Sequence, residues 1–138
     1  MGFAETRASG SRRILSAVCP VNITLSEAVQ AGDCIAVTGG TWVRAAHTAD
    51  EEPLLVAAYD APSGAIIPAY PMAVVEVTTT ATNKSTVGEK CALDDTGNYQ
   101  VQATGLPDVG YSCSIGSDNL TCVMMVWPAV PQIVTIRA

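Results

Sequence analysis

The amino-acid sequence predicts an all-β fold, a small β-barrel or β-sandwich made of two similar β units, with a flexible N-terminal arm. The first observation behind this is an internal echo: Ala31-Gly32-Asp33-Cys34-Ile35-Ala36-Val37 is matched by Val87-Gly88-Glu89-Lys90-Cys91-Ala92-Leu93, the glycines lying 88 − 32 = 56 positions apart. Each copy reads as a small residue, Gly, an acid and an apolar strand, followed by a Gly turn (Gly39-Gly40 or Asp95-Thr96-Gly97) and an aromatic residue, Trp42 or Tyr99, that starts the next strand. The second is the lack of any sustained 3.6-residue apolar stripe with a capped start, in a chain punctuated by eight prolines. The third is the close spacing of short apolar runs between Gly, Pro, Asn and Asp turns, the habit of sandwiches and small barrels.

Residues 1–13 are poor in apolar side chains and rich in Ser, Gly and Arg, so they read as the arm. Residues 14–138 then form one β domain, with internal similarity between 29–77 and 85–127. Near-alternating apolar residues over 14–25 predict a strand broken at Pro20. The first unit continues with strands at 34–37, 42–46, 54–59 and 66–77, separated by Asp50-Glu51-Glu52-Pro53 and Asp60-Ala61-Pro62-Ser63-Gly64 turns. A Thr-rich connector over 78–86 leads to the second unit, with strands at 90–93, 99–103, 109–115 and 120–127. Pro128 and Pro131 end it, and alternation over 132–137 predicts a closing strand.

Composition narrows the function. A 138-residue chain buries one core without disulfides. With 49% hydrophobic, 14% charged and 5% aromatic residues, it has little solvating surface, which predicts an oligomer or an assembled particle. The net charge of −6 is uneven: residues 1–20 carry +2, leaving −8 on the rest, a body that repels phosphate backbones and argues against nucleic acid as partner. No run approaches the roughly 20 apolar residues of a membrane helix. Cys19, Cys34, Cys91, Cys113 and Cys122 lack CxxC spacing, which excludes the usual zinc and thioredoxin patterns; Cys113 and Cys122 could face each other across a hairpin, but packing as free thiols is the simpler expectation.

Catalytic patterns are missing. His47 is the sole histidine, no GxSxG elbow occurs, and the adjacent acids Asp50, Glu51 and Glu52 lack the Gly-spaced form of a calcium loop. We therefore expect no enzyme, no metal and no cofactor. Asp33 and Glu89 follow Gly at matching places, where a carboxylate can accept backbone N–H groups and fix the start of a strand.

The order of Gly-Asp-x-Ile-Ala-Val, turn, aromatic, apolar strand, Pro/Gly turn and Val-rich strand, followed by a second Gly-Glu-x-Cys-Ala-Leu round, resembles the small capsid decoration or cement proteins of tailed bacteriophages. The likeness spans about residues 28–127. It implies a homotrimer made in the host cytoplasm that sits on the outer surface of an icosahedral head and stabilises it, with an N-terminal arm that adds backbone pairing to the major capsid protein. On that reading Arg7, Arg12, Arg13, Ile14 and Leu15 are the capsid-binding residues. Tyr70, Met72, Met124 and Trp127, in two Pro-bounded apolar segments, are candidates for the trimer interface, the alternative for each being the domain interior. Other readings are a virion-surface or carbohydrate-binding β module, such as a head-fibre base or adhesin, and a biotinyl or lipoyl carrier, whose strand starts resemble the same run. A carrier needs a lysine at a tight hairpin flanked by Met, Ala or Asp, and Lys84 stands between Asn83 and Ser85.

Overall fold

The computed structural model describes residues 12–45, 53–78, 87–93, 97–101, 108–115 and 121–129, and it is an all-β sandwich. Its strands are β1 (Arg12–Val18), β2 (Val21–Thr24), β3 (Cys34–Thr38), β4 (Thr41–Arg44), β5 (Pro53–Ala57), β6 (Ile66–Tyr70), β7 (Met72–Thr78), β8 (Lys90–Leu93), β9 (Tyr99–Val101), β10 (Asp108–Ile115) and β11 (Thr121–Val126). They form a six-stranded sheet in the order β1-β7-β11-β10-β8-β9 and a five-stranded sheet in the order β2-β6-β5-β3-β4, with antiparallel neighbours throughout. The strand expected over 132–137 lies outside the described residues.

Two prolines decide how the sheets connect. The single run expected over 66–77 breaks at Pro71, where β6 leaves the five-stranded sheet and β7 enters the other. Its partner bends at Cys19-Pro20, between β1 and β2. The two bent segments pair on both sides of the corner, Val18 opposite Met72 and Val21 opposite Ala69, so one ribbon ties both sheets together. Proline suits such corners because it removes a ladder donor where pairing must stop.

Apart from β1, the strand orders coincide: β2-β6-β5-β3-β4 in one sheet is β7-β11-β10-β8-β9 in the other. The match extends to atoms. Gly32 N and Ala57 N donate to Ala57 O and Asp33 O, both at 2.8 Å, while Gly88 N and Ser112 N donate to Ser112 O and Glu89 O, at 2.8 and 2.9 Å. Both glycines are left-handed, at φ 84° and 83°. A register shift falls between Ile35 and Ala36 against β5, and between their counterparts Cys91 and Ala92 against β10. The sequence similarity over 29–77 and 85–127 therefore starts too late in both units, since β2 and β7 are the first strand of each. Met72–Thr78, read as the end of the first unit, opens the second.

The halves stack front to back. Cys34, Ala36 and Val56 of the five-stranded sheet pack against Val75, Val77, Cys91, Leu93, Val109, Cys122, Met124 and Val126 of the other. The opposite face of the five-stranded sheet, Ile23, Ile35, Ala57, Ile67 and Ala69, holds a second core with Leu25, Val29, Ala61 and Ala65 from segments 25–30 and 58–65. Those segments are fastened by Val29 N to Ala61 O, Ala61 N to Val29 O, Leu25 N to Ala65 O and Gly64 N to Leu25 O, at 2.9 to 3.0 Å. In register terms Ile35, Ala57 and Ala69 correspond to Cys91, Ser112 and Met124. The face that the first unit covers with its own loops is thus the face that the second unit covers with the first.

Candidate functional site

The most concentrated set of polar side chains lies at one edge of the main core. Asp33 is fully buried, and its Oδ2 accepts the Gln30 amide at 2.7 Å, which fixes the turn into β3. Arg12 Nη1 meets Oδ1 at 2.9 Å and Arg44 Nε meets Oδ2 at 3.1 Å. Arg12 also donates to Gly97 O at 3.3 Å and Asn98 Oδ1 at 2.9 Å, and its guanidinium lies 5.4 Å from the centre of the Tyr99 ring. Gly32 admits the arginine stem: a Cβ there would stand 2.8 Å from Arg12 Cγ, and φ is +84° besides.

Tyr99 completes the group. Its hydroxyl donates to Gly32 O at 2.6 Å, so its oxygen is left to accept the Cys34 thiol proton at 3.3 Å. Burial pushes the Cys34 thiol up to about 12, against a smaller downward pull from the charges of Arg12 and Arg44, and burial likewise raises Tyr99. A thiol held protonated is a poor nucleophile, and the contacts of the cluster pin β1, β3, β4 and β9 together. The linkage has a definite sign. Unfolded chains release the Cys34 proton near 9 while the fold holds it to about 12, so this contribution to stability is complete below pH 9 and is lost as pH rises from there towards 12. Urea titrations across that range are expected to show a steeper alkaline loss for the wild type than for Cys34→Ala; equal slopes would refute the assignment.

A depression of about 460 Å³ beside the cluster is lined by Ala28, Val29, Gln30, Asp33, Arg44 and Asp60, among others. Its acids are occupied by structure, Asp33 as above and Asp60 Oδ1 by the Ala31 amide at 2.8 Å. Among the described residues no three His, Cys, Asp or Glu side chains converge as a metal site. His47, Asp50, Glu51, Glu52 and Lys84 lie outside the described residues.

The expected arm and interface residues separate. Arg7 lies outside the described residues. Arg12 does not belong to an arm: it is 5% exposed and opens β1, opposite Val77, because Asp33 supplies the buried counter-charge. Arg13 is exposed and pairs with Glu76 at 3.0 Å; Ile14 packs against the main core and Leu15 is exposed at the β1 bulge. Met124 is completely buried in the main core, which removes it from the surface candidates, whereas Trp127 is 44% exposed. Met72 is half-buried on the same outer face as Trp127, and half-buried Tyr70 is on the other sheet. Cys122 is buried and Cys113 exposed, and all five cysteines are free.

Tyr111, which the sequence did not single out, is exposed on β10 directly opposite Met125 of β11, an exposed member of the apolar segment 124–128 in which interface residues were expected. Together with Val74, Met72, Trp127, Val18 and Leu15 they form an apolar strip on the outer face of the six-stranded sheet, which also carries Arg13, Ser16, Glu76 and Lys90.

Comparison with protein-family models and with curated protein sequences gives no match. Among solved structures, the chain is similar to the head fiber gp8.5 N base of bacteriophage phi29, with a TM-score of 0.52 and 17% identity over 78% of this chain and 92% of that one. The two share a fold.

Proposed function

We propose that the chain is a structural protein of a tailed-bacteriophage head, a non-enzymatic decoration protein held on the outer capsid surface by non-covalent contacts with the major capsid protein. The observation that carries this reading is the fold held in common with a phage head-fibre base over nearly all of that chain. The capsid-decoration pattern of residues 28–127 and the structural use of the buried polar groups support it. Many weak contacts repeated over a shell give such a protein its hold.

A head-fibre base is the second reading, favoured by the name of the structural neighbour. One experiment separates the two. Purified protein is mixed with expanded heads, and binding and thermal disruption of the heads are measured together. A cementing protein raises the disruption temperature as it saturates, a fibre base binds without raising it, and absence of binding removes both readings.

The arm is tested by deletion of residues 1–11, which spares Arg12 and its buried ion pair. Head affinity is expected to fall at least about tenfold as strand pairing and Arg7 are lost, with an unchanged melting curve. Undiminished binding would discard the arm.

A further inference from the structure

We infer that the outer face of the six-stranded sheet, across β1, β7, β11, β10 and β8, is the surface on which one copy of this chain docks against another. The inference draws on the capsid reading for the use of the oligomer, not for its existence.

The internal repeat supplies the first argument. In the five-stranded sheet the row Cys34, Val56, Tyr70 runs across β3, β5 and β6, and Cys34 and Val56 are completely buried because the second unit packs on them. The register-equivalent row in the six-stranded sheet is Lys90, Tyr111, Met125. This half of the molecule therefore exposes the face that its counterpart uses to hold a unit of the same kind. Exposed Tyr111 (44%) and Met125 (37%) stand where Val56 and half-buried Tyr70 stand in the covered copy. The next row, Trp127 beside Met72 and Val18, extends the strip to the edge strand. Among the described residues nothing lies over it.

Size and charge point to a second copy as occupant. Five strands about 4.8 Å apart, over some six residues of about 3.3 Å rise, give a footprint on the order of 500 Å². That matches the largest apolar patches of monomers, which are often functional, and lies below the roughly 800 Å² that each partner brings to a standard interface. It suits a modest contact between copies that a shell would multiply. The strip has charges of opposite sign towards its two ends, Lys90 on β8 and Glu76 on β7, the latter beside Arg13. A copy turned about an axis parallel to the strands brings Lys90 of each against Glu76 of the other, a self-complementary match.

Sedimentation equilibrium of the full chain, without heads, tests this. The wild type is expected to be an oligomer at micromolar concentration. Met125→Glu and Tyr111→Glu, at sites already open to solvent, are each expected to raise the dissociation constant at least about a hundredfold while leaving the β-sheet circular dichroism unchanged. Ile66→Glu, at the most exposed large apolar side chain among the described residues (70%) and on the other sheet, is expected to change nothing. Lys90→Glu or Glu76→Lys alone is expected to weaken association about fivefold, and the two together to restore it. A monomeric wild type, or an oligomer indifferent to both Met125→Glu and Tyr111→Glu, overturns the inference. Self-association without head binding leaves it standing and removes only the capsid reading.

Discussion

Asp33→Ala is expected to cost about 3–5 kcal/mol of folding stability, enough to unfold a substantial fraction of a marginally stable domain. The magnitude follows from what is left behind. Arg12 would remain 5% exposed, with its stem against Gly32 and its guanidinium between Gly97, Asn98 and the Tyr99 ring, without the carboxylate 2.9 Å away that balances its charge. Arg44 would lose its contact, and the Gln30 amide its acceptor. Urea unfolding followed by tryptophan fluorescence measures the loss. The pair itself need not be strongly stabilising, so Arg12→Met with Asp33→Leu is expected to recover most of it. A loss below about 1 kcal/mol in Asp33→Ala would show that water already reaches the guanidinium.

Gly110→Ala is expected to be nearly as damaging, at about 3 kcal/mol, for a steric reason. A Cβ at Gly110 would collide with Met125 O and stand 2.9 Å from Met125 C, both backbone atoms of the adjacent strand β11. Relief requires β10 and β11 to part where Gly110 pairs with Val126 and the register against β8 has just shifted. Gly39→Ala is the control: a Cβ there meets nothing within 4 Å, so only its left-handed backbone resists the change, at about 1 kcal/mol. Equal midpoints for the two variants would contradict the packing described at Gly110.

Strands were legible where apolar residues alternate between turns, and the echo of Gly-acid-apolar runs was legible because the same turn and strand start are built twice. Faces were harder to read. Val123-Met124-Met125-Val126-Trp127 is apolar at every position, so a period of two marks a strand without saying which side is inward. Met124 was accordingly expected at a surface and is inside, while its neighbour Met125 is outside. Arg12 was read with its polar surroundings as part of an arm, because nothing local indicates that a carboxylate 21 positions on will neutralise it in the core. The signal available was Asp33 itself, an acid beside an apolar strand, which burial obliges to find a cation. Pro71 lay inside one apolar run, and only pairing shows that the run serves two sheets.

The closed outer end of the five-stranded sheet has a consequence for growth. Units that stack head to tail, each offering its back to the next one's front, would extend without limit and draw the molecule into filaments. Leu25, Val29, Ala61 and Ala65 plug the leading front within each molecule. Propagation therefore stops after two layers, and a single sticky terminus remains, which favours bounded, countable clusters over runaway polymer.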